Sequence, residues 1–276
     1  MITPQYVLAQ IPLLATHPFL SIDQLEGGNS NQSYLISTPE IKYVLRLDGE
    51  AQKIFQCSRE FELELLKLAS AKQLAPKPIY SDFENGVLLY TFLEGEELTL
   101  EQLSDPLIKQ QFSSLISNIS LIGKQLKLTH PKQAFLNRII LESDLPEYEQ
   151  LLQYQASVKS ICLKLESLPE EFCLCHNDIS PSNLLINSES KLFVLDWEYA
   201  GSNHPLLDFA FFANNYDLNE SWLQQHYPEN SSHPSVSFSD VRRLAWFIEA
   251  IWYAKRQLHN PSDKWVKLMQ QALIKL

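Results

Sequence analysis

The sequence predicts an α+β fold in which a small mixed α/β lobe precedes a larger, mainly helical lobe. Short alternating runs rich in β-forming residues dominate the first third of the chain, and such runs are typical of strands. Beyond residue 96, long segments instead place apolar residues at helical spacing. Because 276 residues suffice for two such lobes, we predict a first lobe over residues 1–94 and a second lobe over residues 95–276.

The composition is that of an ordinary globular protein with an excess of acidic residues. The chain is 45% hydrophobic and 20% charged, and its formal net charge is −11. Nucleic acids and anionic lipids attract basic surfaces, so we expect no nucleic-acid partner and no membrane partner. The first twenty residues lack the basic region of a signal peptide, and the four cysteines form no disulfide framework. We therefore expect a cytoplasmic protein, either a monomer or a homodimer.

The first lobe is predicted to begin with an amphipathic helix or arm over residues 1–20. A hairpin follows, because the turn sequence EGGNSN lies between two β-like runs. The run IKYVLRL (41–47) predicts a third strand, and GVLLYTFLEG (86–95) predicts a strand that enters a polar turn.

A helix is predicted between these strands, over residues 57–74. Ser58 is its expected N-cap, because acidic residues follow it in the first turn. The apolar residues at helical spacing predict which face is buried. That face comprises Phe61, Leu65, Leu68 and Ala69.

The second lobe is predicted to contain long helices and one hairpin. The runs NLLIN and KLFVLDW flank the polar residues SES, and this arrangement predicts two strands joined by a turn over residues 183–197. The helices are expected at about residues 106–131, 144–168, 205–226, 238–258 and 261–275.

The loop CHNDISPSN (175–183) carries residues that indicate a chemistry. Asp178 is followed by Asn183, and Asp196 ends the second strand of the hairpin. A carboxylate accepts a proton from a hydroxyl nucleophile, and an amide oxygen with a second carboxylate provides the hard ligands that Mg²⁺ prefers. Each residue alone fits a loop or a strand end. Together they predict phosphoryl transfer, with Asp178 as catalytic base and Asn183 and Asp196 as metal ligands.

The pattern H-x-D-x4-N, then a hairpin and Asp-Trp-Glu, resembles the eukaryotic-like kinase fold, whose motifs are H-R-D-x4-N and D-F-G. Asn177 stands in place of the usual Arg, and Glu198 in place of the usual Gly, which points away from protein kinases. HND with DWEYAGSNHPLLDFAFF resembles the aminoglycoside phosphotransferase and choline kinase superfamily, with bacterial thiamine kinases and choline kinase-like proteins as the nearest members. The resemblance begins near residue 22 and implies a two-lobed kinase-like fold with ATP and Mg²⁺ as cofactors.

The resemblance implies nucleotide contacts in the first lobe. The hairpin turn would cover the ATP phosphates through its backbone N–H groups, because glycine lets the backbone approach closely; a plain hairpin turn is the alternative. The chain around Tyr90 and Phe92 would receive adenine through its backbone. The turn residues concerned are Gly27, Gly28, Asn29, Ser30 and Asn31.

A cation on the third strand would contact the ATP phosphates. Arg46 matches choline kinase-like proteins, whereas Lys42 lies at the entry of the strand and is expected to be solvated. The partner of Arg46 would be a glutamate on the following helix. Glu60 fits best, and Glu62 and Glu64 are the alternatives, expected on the solvated side.

Two residues near the catalytic loop have predicted supporting roles. His176 would support the backbone of the loop rather than transfer a proton, because Asp178 is the nearer base. Asp208, which follows Asp196 by twelve residues, would hold the catalytic segment together.

The acceptor site is predicted on the late helix RRLAWFIEAIWYAKRQ. Trp246, Glu249, Trp252 and Tyr253 fall near one helical face, and aromatic faces and carboxylates attract organic cations. Packing in the core is the alternative for these rings. Glu198 either faces the acceptor cation or forms a salt bridge, and the sequence leaves both open.

The resemblance predicts an ATP-dependent phosphotransferase that acts on the hydroxyl of a small cationic alcohol. Thiamine is the expected acceptor, by a small margin over choline, because the residues DWEYAGSN and the late Trp-bearing helix resemble thiamine kinases most. Choline or ethanolamine kinase is the alternative. An aminoglycoside phosphotransferase and a pseudokinase that binds ATP without catalysis are further alternatives.

Overall fold

The protein is represented by a computed structural model that describes residues 3–15, 20–26, 31–49, 57–126, 149–167, 172–219, 221–222 and 236–276. The chain divides into two compact units. The first unit comprises residues 1–97 and 184–198, and the second comprises residues 98–183 and 199–276. The division predicted between residues 94 and 95 remains a prediction about domains. In the structure the first unit also includes residues 184–198, and a single boundary along the chain cannot describe a unit made of two separate segments.

The first unit contains a five-stranded antiparallel sheet. Its strands are β1 (Ser21–Leu25), β2 (Gln32–Ser37), β3 (Lys42–Leu47), β4 (Pro78–Asp82) and β5 (Val87–Thr91). They lie in the order β1-β2-β3-β5-β4, which confirms the predicted hairpin and the two predicted strands that follow. The sequence did not predict β4, because proline is disfavoured within sheets. Here Pro78 belongs to an edge strand, where a missing N–H group is tolerated.

Two short helices at the start of the chain pack on this sheet. They are α1 (Pro4–Gln10) and α2 (Pro12–Ala15), and they confirm the predicted helical arm within the described part of residues 1–20. Leu8 and Ile11 join one buried apolar cluster with Ile36, Leu45 and Leu89 of the sheet. Full burial of each such side chain contributes about 1.5–3 kcal/mol, so this cluster is the apolar core of the first unit.

The helix α3 (Arg59–Ala71) begins where its N-cap predicts. Ser58 Oγ accepts a hydrogen bond from the Phe61 N–H at 3.3 Å. The buried face is Glu62, Leu65, Leu66 and Ala69, at positions i, i+3, i+4 and i+7. The predicted face is correct at Leu65 and Ala69, but Glu62 and Leu66 are buried where Phe61 and Leu68 were expected. Phe61 and Leu68 are only half-buried, because a buried carboxylate occupies a position that the apolar pattern does not mark.

The remaining strands are short and form two further sheets. They are β6 (Glu96–Glu97), β7 (Cys173–Cys175), β8 (Leu184–Ile186), β9 (Leu192–Val194) and β10 (Gly201–Asn203). In the first unit β8 pairs with β6 and β9, and its hairpin with β9 confirms the one that the sequence predicts. In the second unit β7 pairs with β10, and this pairing brings together the two chain segments that flank the hairpin.

The second unit is mainly helical, as predicted. Its longer helices are α4 (Pro106–Gln125), α5 (Glu149–Glu166), α6 (Leu206–Asn215), α7 (Phe238–His259) and α8 (Asp263–Ile274). The helix α6 is shorter than the predicted segment over residues 205–226. Among the described helices, none is both long enough and apolar enough to cross a membrane.

Gly123 on α4 permits a close approach to β7. A Cβ atom at Gly123 would lie 2.6 Å from Leu174 Cβ and 2.8 Å from the Leu174 backbone nitrogen. Glycine inside a helix ordinarily lowers its stability relative to alanine by about 1 kcal/mol. At this position the absence of a side chain is what lets α4 rest on the strand that leads into the loop CHNDISPSN.

We expect Gly123→Ala to lower the free energy of unfolding. Overpacking costs about 1–3 kcal/mol and exceeds the gain in helix propensity of about 1 kcal/mol. Urea denaturation measures the change. Ser117→Ala is the matched control, because Ser117 is exposed on the same helix, and it should not be destabilised. An equal or higher stability of Gly123→Ala would contradict this packing.

Candidate active site

A buried carboxylate holds the backbone of the loop CHNDISPSN in the second unit. Asp208, in the first turn of α6, accepts hydrogen bonds from the backbone N–H groups of His176 at 2.8 Å and Asn177 at 2.7 Å. His176 and Asp208 are both buried. Burial raises the pKa of Asp208 to about 7, although both hydrogen bonds oppose this shift. This geometry supports the predicted role of Asp208. His176 is held here through its backbone N–H group, and the role of its side chain remains a prediction.

Asn177 adopts a left-handed backbone conformation, with φ of 63°. Asparagine tolerates this region better than most other residues. Its side chain donates a hydrogen bond to the Tyr199 carbonyl at 3.0 Å and accepts one from Asn203 Nδ2 at 2.9 Å. Asn177 thus ties the loop to the segment around β10.

Asn183 orients the carboxylate of Asp178. Asn183 Nδ2 donates hydrogen bonds to the Asp178 carbonyl at 3.0 Å and to Asp178 Oδ2 at 2.8 Å. Asn183 belongs to a turn of 3₁₀ helix at residues 181–183 and is buried. Its amide nitrogen is directed to Asp178, which leaves the amide oxygen as the atom that a hard cation prefers.

Glu249 and Tyr253 on α7 lie within the electrostatic reach of Asp178. Burial raises the pKa of Glu249 to about 8, and the negative charge of Asp178 adds to the shift. Burial, Glu249 and Asp178 also raise the pKa of Tyr253. The negative charge of Asp178 thus acts on a carboxyl group and a phenol of α7, and such acidic groups favour a bound cation.

Trp252 is held in place by several side chains of the second unit. Its indole N–H donates a hydrogen bond to the Tyr199 hydroxyl at 3.0 Å. Its ring meets the Trp265 ring edge-on, with centroids 5.6 Å apart. The Arg256 guanidinium lies 5.6 Å from the centre of the Trp252 ring and 5.1 Å from that of Trp265. The indole is half-buried, so its predicted acceptor contact and its packing role are compatible.

Arg46 on β3 forms a buried bidentate ion pair with Glu62 on α3. Its Nη1 and Nη2 atoms lie 2.6 and 2.7 Å from the two carboxylate oxygens, and Nη1 also lies 3.3 Å from Asp196 Oδ1. Burial alone would lower the pKa of Arg46, but Glu62 and Asp196 outweigh it and raise that pKa. The carboxylate of Glu62 is also buried, and the arginines beside it lower its pKa.

The prediction that Glu60 pairs with Arg46 is wrong, because Glu62 takes that position. Glu60 is exposed, and its carboxylate accepts a hydrogen bond from Ser58 Oγ at 3.4 Å. Lys42 is solvated at the entry of β3, as expected, and pairs with the exposed Glu94 at 3.2 Å. The choice of Arg46 over Lys42 as the buried strand cation agrees with this geometry.

Glu198 forms a salt bridge, one of the two options that the sequence leaves open. Its Oε2 atom lies 3.0 Å from Arg59 Nη1 and accepts a hydrogen bond from Asn31 Nδ2 at 3.0 Å. Asn31 Oδ1 accepts from the Gly49 N–H at 3.3 Å and from Arg59 Nη2 at 3.4 Å. Asn31 thus contacts the ion-pair network of the first unit, and a phosphate contact remains a prediction.

Tyr90 and Phe92 end the β5 region, where the Phe92 N–H donates to the Lys42 carbonyl at 3.0 Å and burial raises the pKa of Tyr90 to about 12. Their adenine contacts remain predictions. The other turn residues of the hairpin lie outside the described residues; these are Gly27, Gly28, Asn29 and Ser30.

Sequence reasoning missed Arg59 and Tyr199. Arg59 precedes Glu62 by three residues, and this spacing favours an ion pair on one helical face. The contact between Arg59 and Glu62 was therefore predictable from the sequence. Tyr199 contacts Asn177 through its carbonyl and Trp252 through its hydroxyl. No local pattern marks such contacts, because they join segments that are distant in sequence.

The sheet, the strand arginine paired with a helix glutamate, and the H-x-D-x4-N loop define the class of protein: a kinase-like phosphotransferase fold. Solved structures agree. Choline kinase LicA from Streptococcus pneumoniae has a TM-score of 0.76 and 21% identity, with 98% of both chains covered. An ADP-bound aminoglycoside phosphotransferase has a TM-score of 0.62 and 18% identity, covering 98% of this chain and 96% of its own. These likenesses confirm the predicted fold.

The chain belongs to the choline/ethanolamine kinase family, because the profile of that family matches residues 22–273. LicA from Haemophilus influenzae is 30% identical over 205 residues, which cover 70% of this chain and 56% of LicA. Human ethanolamine kinase 1 is 26% identical over 202 residues, which cover 66% of this chain and 43% of that protein. The chain thus spans about half the length of these relatives. The predicted superfamily is confirmed, and the preference for thiamine receives no support.

We expect Asn177→Gly and Asn177→Ala to differ in stability. Both lose the side-chain hydrogen bonds, whereas only alanine meets the steric cost of the left-handed region, about 1–2 kcal/mol. Thermal and urea unfolding should therefore rank the wild type first, Asn177→Gly second and Asn177→Ala third. Equal stabilities of the two variants would contradict the left-handed backbone conformation of Asn177.

Proposed function

We propose that the chain is a kinase that transfers the γ-phosphoryl group of ATP to the hydroxyl group of choline or ethanolamine. One observation carries this proposal: Asn183 Nδ2 holds the carboxylate of Asp178 at 2.8 Å within the H-x-D-x4-N loop, where the charge of Asp178 acts on Glu249 and Tyr253 of α7. A proton acceptor beside a second carboxylate and an aromatic ring suits an alcohol that carries a positive charge. Membership of the choline/ethanolamine kinase family supports the same acceptor class.

Asp178 accepts the proton of the acceptor hydroxyl as the phosphoryl group is transferred. The hydrogen bond from Asn183 fixes one carboxylate oxygen, and Asp208 fixes the backbone just before it. Phosphoryl transfer depends mainly on alignment and charge stabilisation. The chief contribution of this loop is therefore a fixed orientation for the attacking hydroxyl.

Mg²⁺ fits the charge balance of the first unit. Two arginines, Arg46 and Arg59, face four carboxylates within the same network of ion pairs. Asp196 is the most exposed of the four, with 32% of its side chain accessible, so the surplus negative charge is accessible there. Asp196 and Asn183 are the proposed ligands, because both offer oxygen atoms that Mg²⁺ prefers. When bound, Mg²⁺ neutralises phosphate charge, and Arg46 adds to that neutralisation.

Glu249 and Trp252 are the proposed contacts for the charged end of the acceptor. A quaternary ammonium group cannot donate hydrogen bonds and depends on aromatic faces, whereas a primary ammonium group also donates to a carboxylate. The second unit offers the half-buried ring of Trp252 and the carboxylate of Glu249 on the same helix. The proposed site therefore suits both choline and ethanolamine.

A coupled assay of ADP release with choline, ethanolamine, thiamine and kanamycin tests this function. We expect release with choline or ethanolamine, and release only with thiamine or kanamycin would contradict the proposed acceptor. Asp178→Asn should lower kcat by about 10²–10⁴-fold and leave ATP binding nearly unchanged. Glu189→Gln, an exposed residue on the β8–β9 turn, is the control and should retain activity. Near-normal turnover by Asp178→Asn would refute its role as base.

Binding of the cationic acceptor should strengthen as the pH rises towards 8. Glu249 has a pKa raised to about 8, so it is protonated at lower pH and must lose that proton to pair with a cation. The dissociation constant for choline or ethanolamine should therefore fall by up to about tenfold per pH unit between pH 6 and 8.

Calorimetric titration at several pH values measures this dependence. Glu249→Gln should bind the acceptor more weakly at pH 8 and lose most of the slope. Asp178 and Tyr253 are the other titratable groups whose charge reaches Glu249. A slope that persists unchanged in Glu249→Gln would assign the titration to one of them instead.

A further inference from the structure

Arg59 is a buried arginine that contacts three carboxylates of the first unit. Its Nη1 atom lies 2.7 Å from Glu62 Oε2 and 3.0 Å from Glu198 Oε2, and its Nε atom lies 2.8 Å from Asp48 Oδ2. Burial and the nearby Arg46 disfavour its charge, but the three carboxylates outweigh them and raise its pKa. Arg59 is therefore a permanent cation whose position is set by three partners.

These contacts close a ring through the proposed metal ligand. Arg46 joins Glu62, which joins Arg59, which joins Glu198. The chain then runs two residues back from Glu198 to Asp196, whose Oδ1 lies 3.3 Å from Arg46 Nη1. Asp196 has φ of 56°, in the left-handed region that costs energy for a residue with a side chain. The ring holds this turn from both sides, at the Asp196 carboxylate and at Glu198.

Glu198 is a buried carboxylate that Arg59 and Asn31 hold in place. Its side chain is only 1% accessible. Among the described residues its Oε1 atom is buried without a hydrogen-bond partner, and its Oε2 atom meets Arg59 and Asn31. A buried carboxylate that loses its cationic partner moves towards water, so we expect Glu198 to shift its position without Arg59. Glu62 would keep its ion pair with Arg46 when Arg59 is removed. The loss of Arg59 should therefore affect Glu198, and the turn from Asp196 to Glu198, more than it affects Glu62.

We propose that Arg59 is a positioning residue for the Mg²⁺–nucleotide complex, acting through Glu198 on the turn that carries Asp196. This inference rests on the proposed function, because it takes Asp196 as a Mg²⁺ ligand. Arg59 contacts neither reacting atoms nor substrate in this role. Its contribution is to keep the carboxylate of Asp196 oriented before the metal arrives.

The test compares ADP binding with and without Mg²⁺ in Arg59→Met, Arg59→Lys and the wild type. Calorimetry with ADP and Mg²⁺, and with ADP and EDTA, provides a readout that does not involve turnover. We expect Arg59→Met to weaken binding of Mg²⁺–ADP by about 10–100-fold, the range for residues that orient metal ligands, and to leave metal-free ADP binding nearly unchanged. Arg59→Lys should fall between, because one ammonium group cannot reproduce the fork of a guanidinium.

Lys67→Met is the matched control, since it removes an exposed cation from the same helix, and it should bind Mg²⁺–ADP like the wild type. If Arg59→Met folds poorly, Glu198→Gln tests the same link. It should also weaken Mg²⁺–ADP binding selectively, and its effect should not add to that of Arg59→Lys.

Two results would overturn the role of Arg59. One is unchanged Mg²⁺–ADP binding in folded Arg59→Met. The other is an equal loss of ADP binding with and without the metal, which would assign Arg59 a purely structural role. Failure of the wild type to bind nucleotide at all would instead refute the proposed function and, with it, this inference. The acceptor plays no part in the measurement, so an error in the acceptor class leaves the result valid.

Discussion

The buried ion pair between Arg46 and Glu62 is the interaction on which the first unit depends. Removing two charges from water costs several kcal/mol per ion unless geometry and further hydrogen bonds compensate, and here the bidentate contact at 2.6 and 2.7 Å provides that compensation. The pair fixes α3 against β3. It also sets where a second arginine, Arg59, can be accommodated, and through Arg59 and Asp196 it connects the helix to the chain that returns after β9.

The second unit orients its loop by the same principle with different groups. Asp208 is buried because it accepts two backbone N–H groups, and Asn177 keeps an unusual backbone conformation because its amide is bonded on both sides. Polar groups that are buried with all their partners confer a single conformation. The backbone just before Asp178 is thus fixed by Asp208 and Asn177, and Asn183 fixes its carboxylate. Such a fixed orientation suits the proposed phosphoryl transfer, which depends on alignment.

Features that depend on a few neighbouring residues were predicted well from the sequence. Ser58 marks the start of α3, alternating runs mark β2, β3 and β5, and the turn between β8 and β9 follows from three polar residues. The face of α3 was misread, because apolar spacing alone selects Phe61 and Leu68 while a buried Glu62 completes the true face. The partner of Arg46 was missed for a related reason: glutamates stand at positions 60, 62 and 64, and apolar spacing does not show that Glu62 is the buried one.

Spacing within short segments was enough to predict the fold class and the superfamily correctly. It also selected the H-x-D-x4-N loop, whose catalytic role remains a prediction. Long-range contacts were needed to show which glutamate meets Arg46, which carboxylates Arg59 contacts and how Glu198 is engaged. The contacts between Arg46 and Asp196 and between Arg59 and Glu198 join residues 150 and 139 positions apart. Desolvation makes such pairs decisive once the chain is folded, yet at that separation no periodicity or motif in the sequence records them.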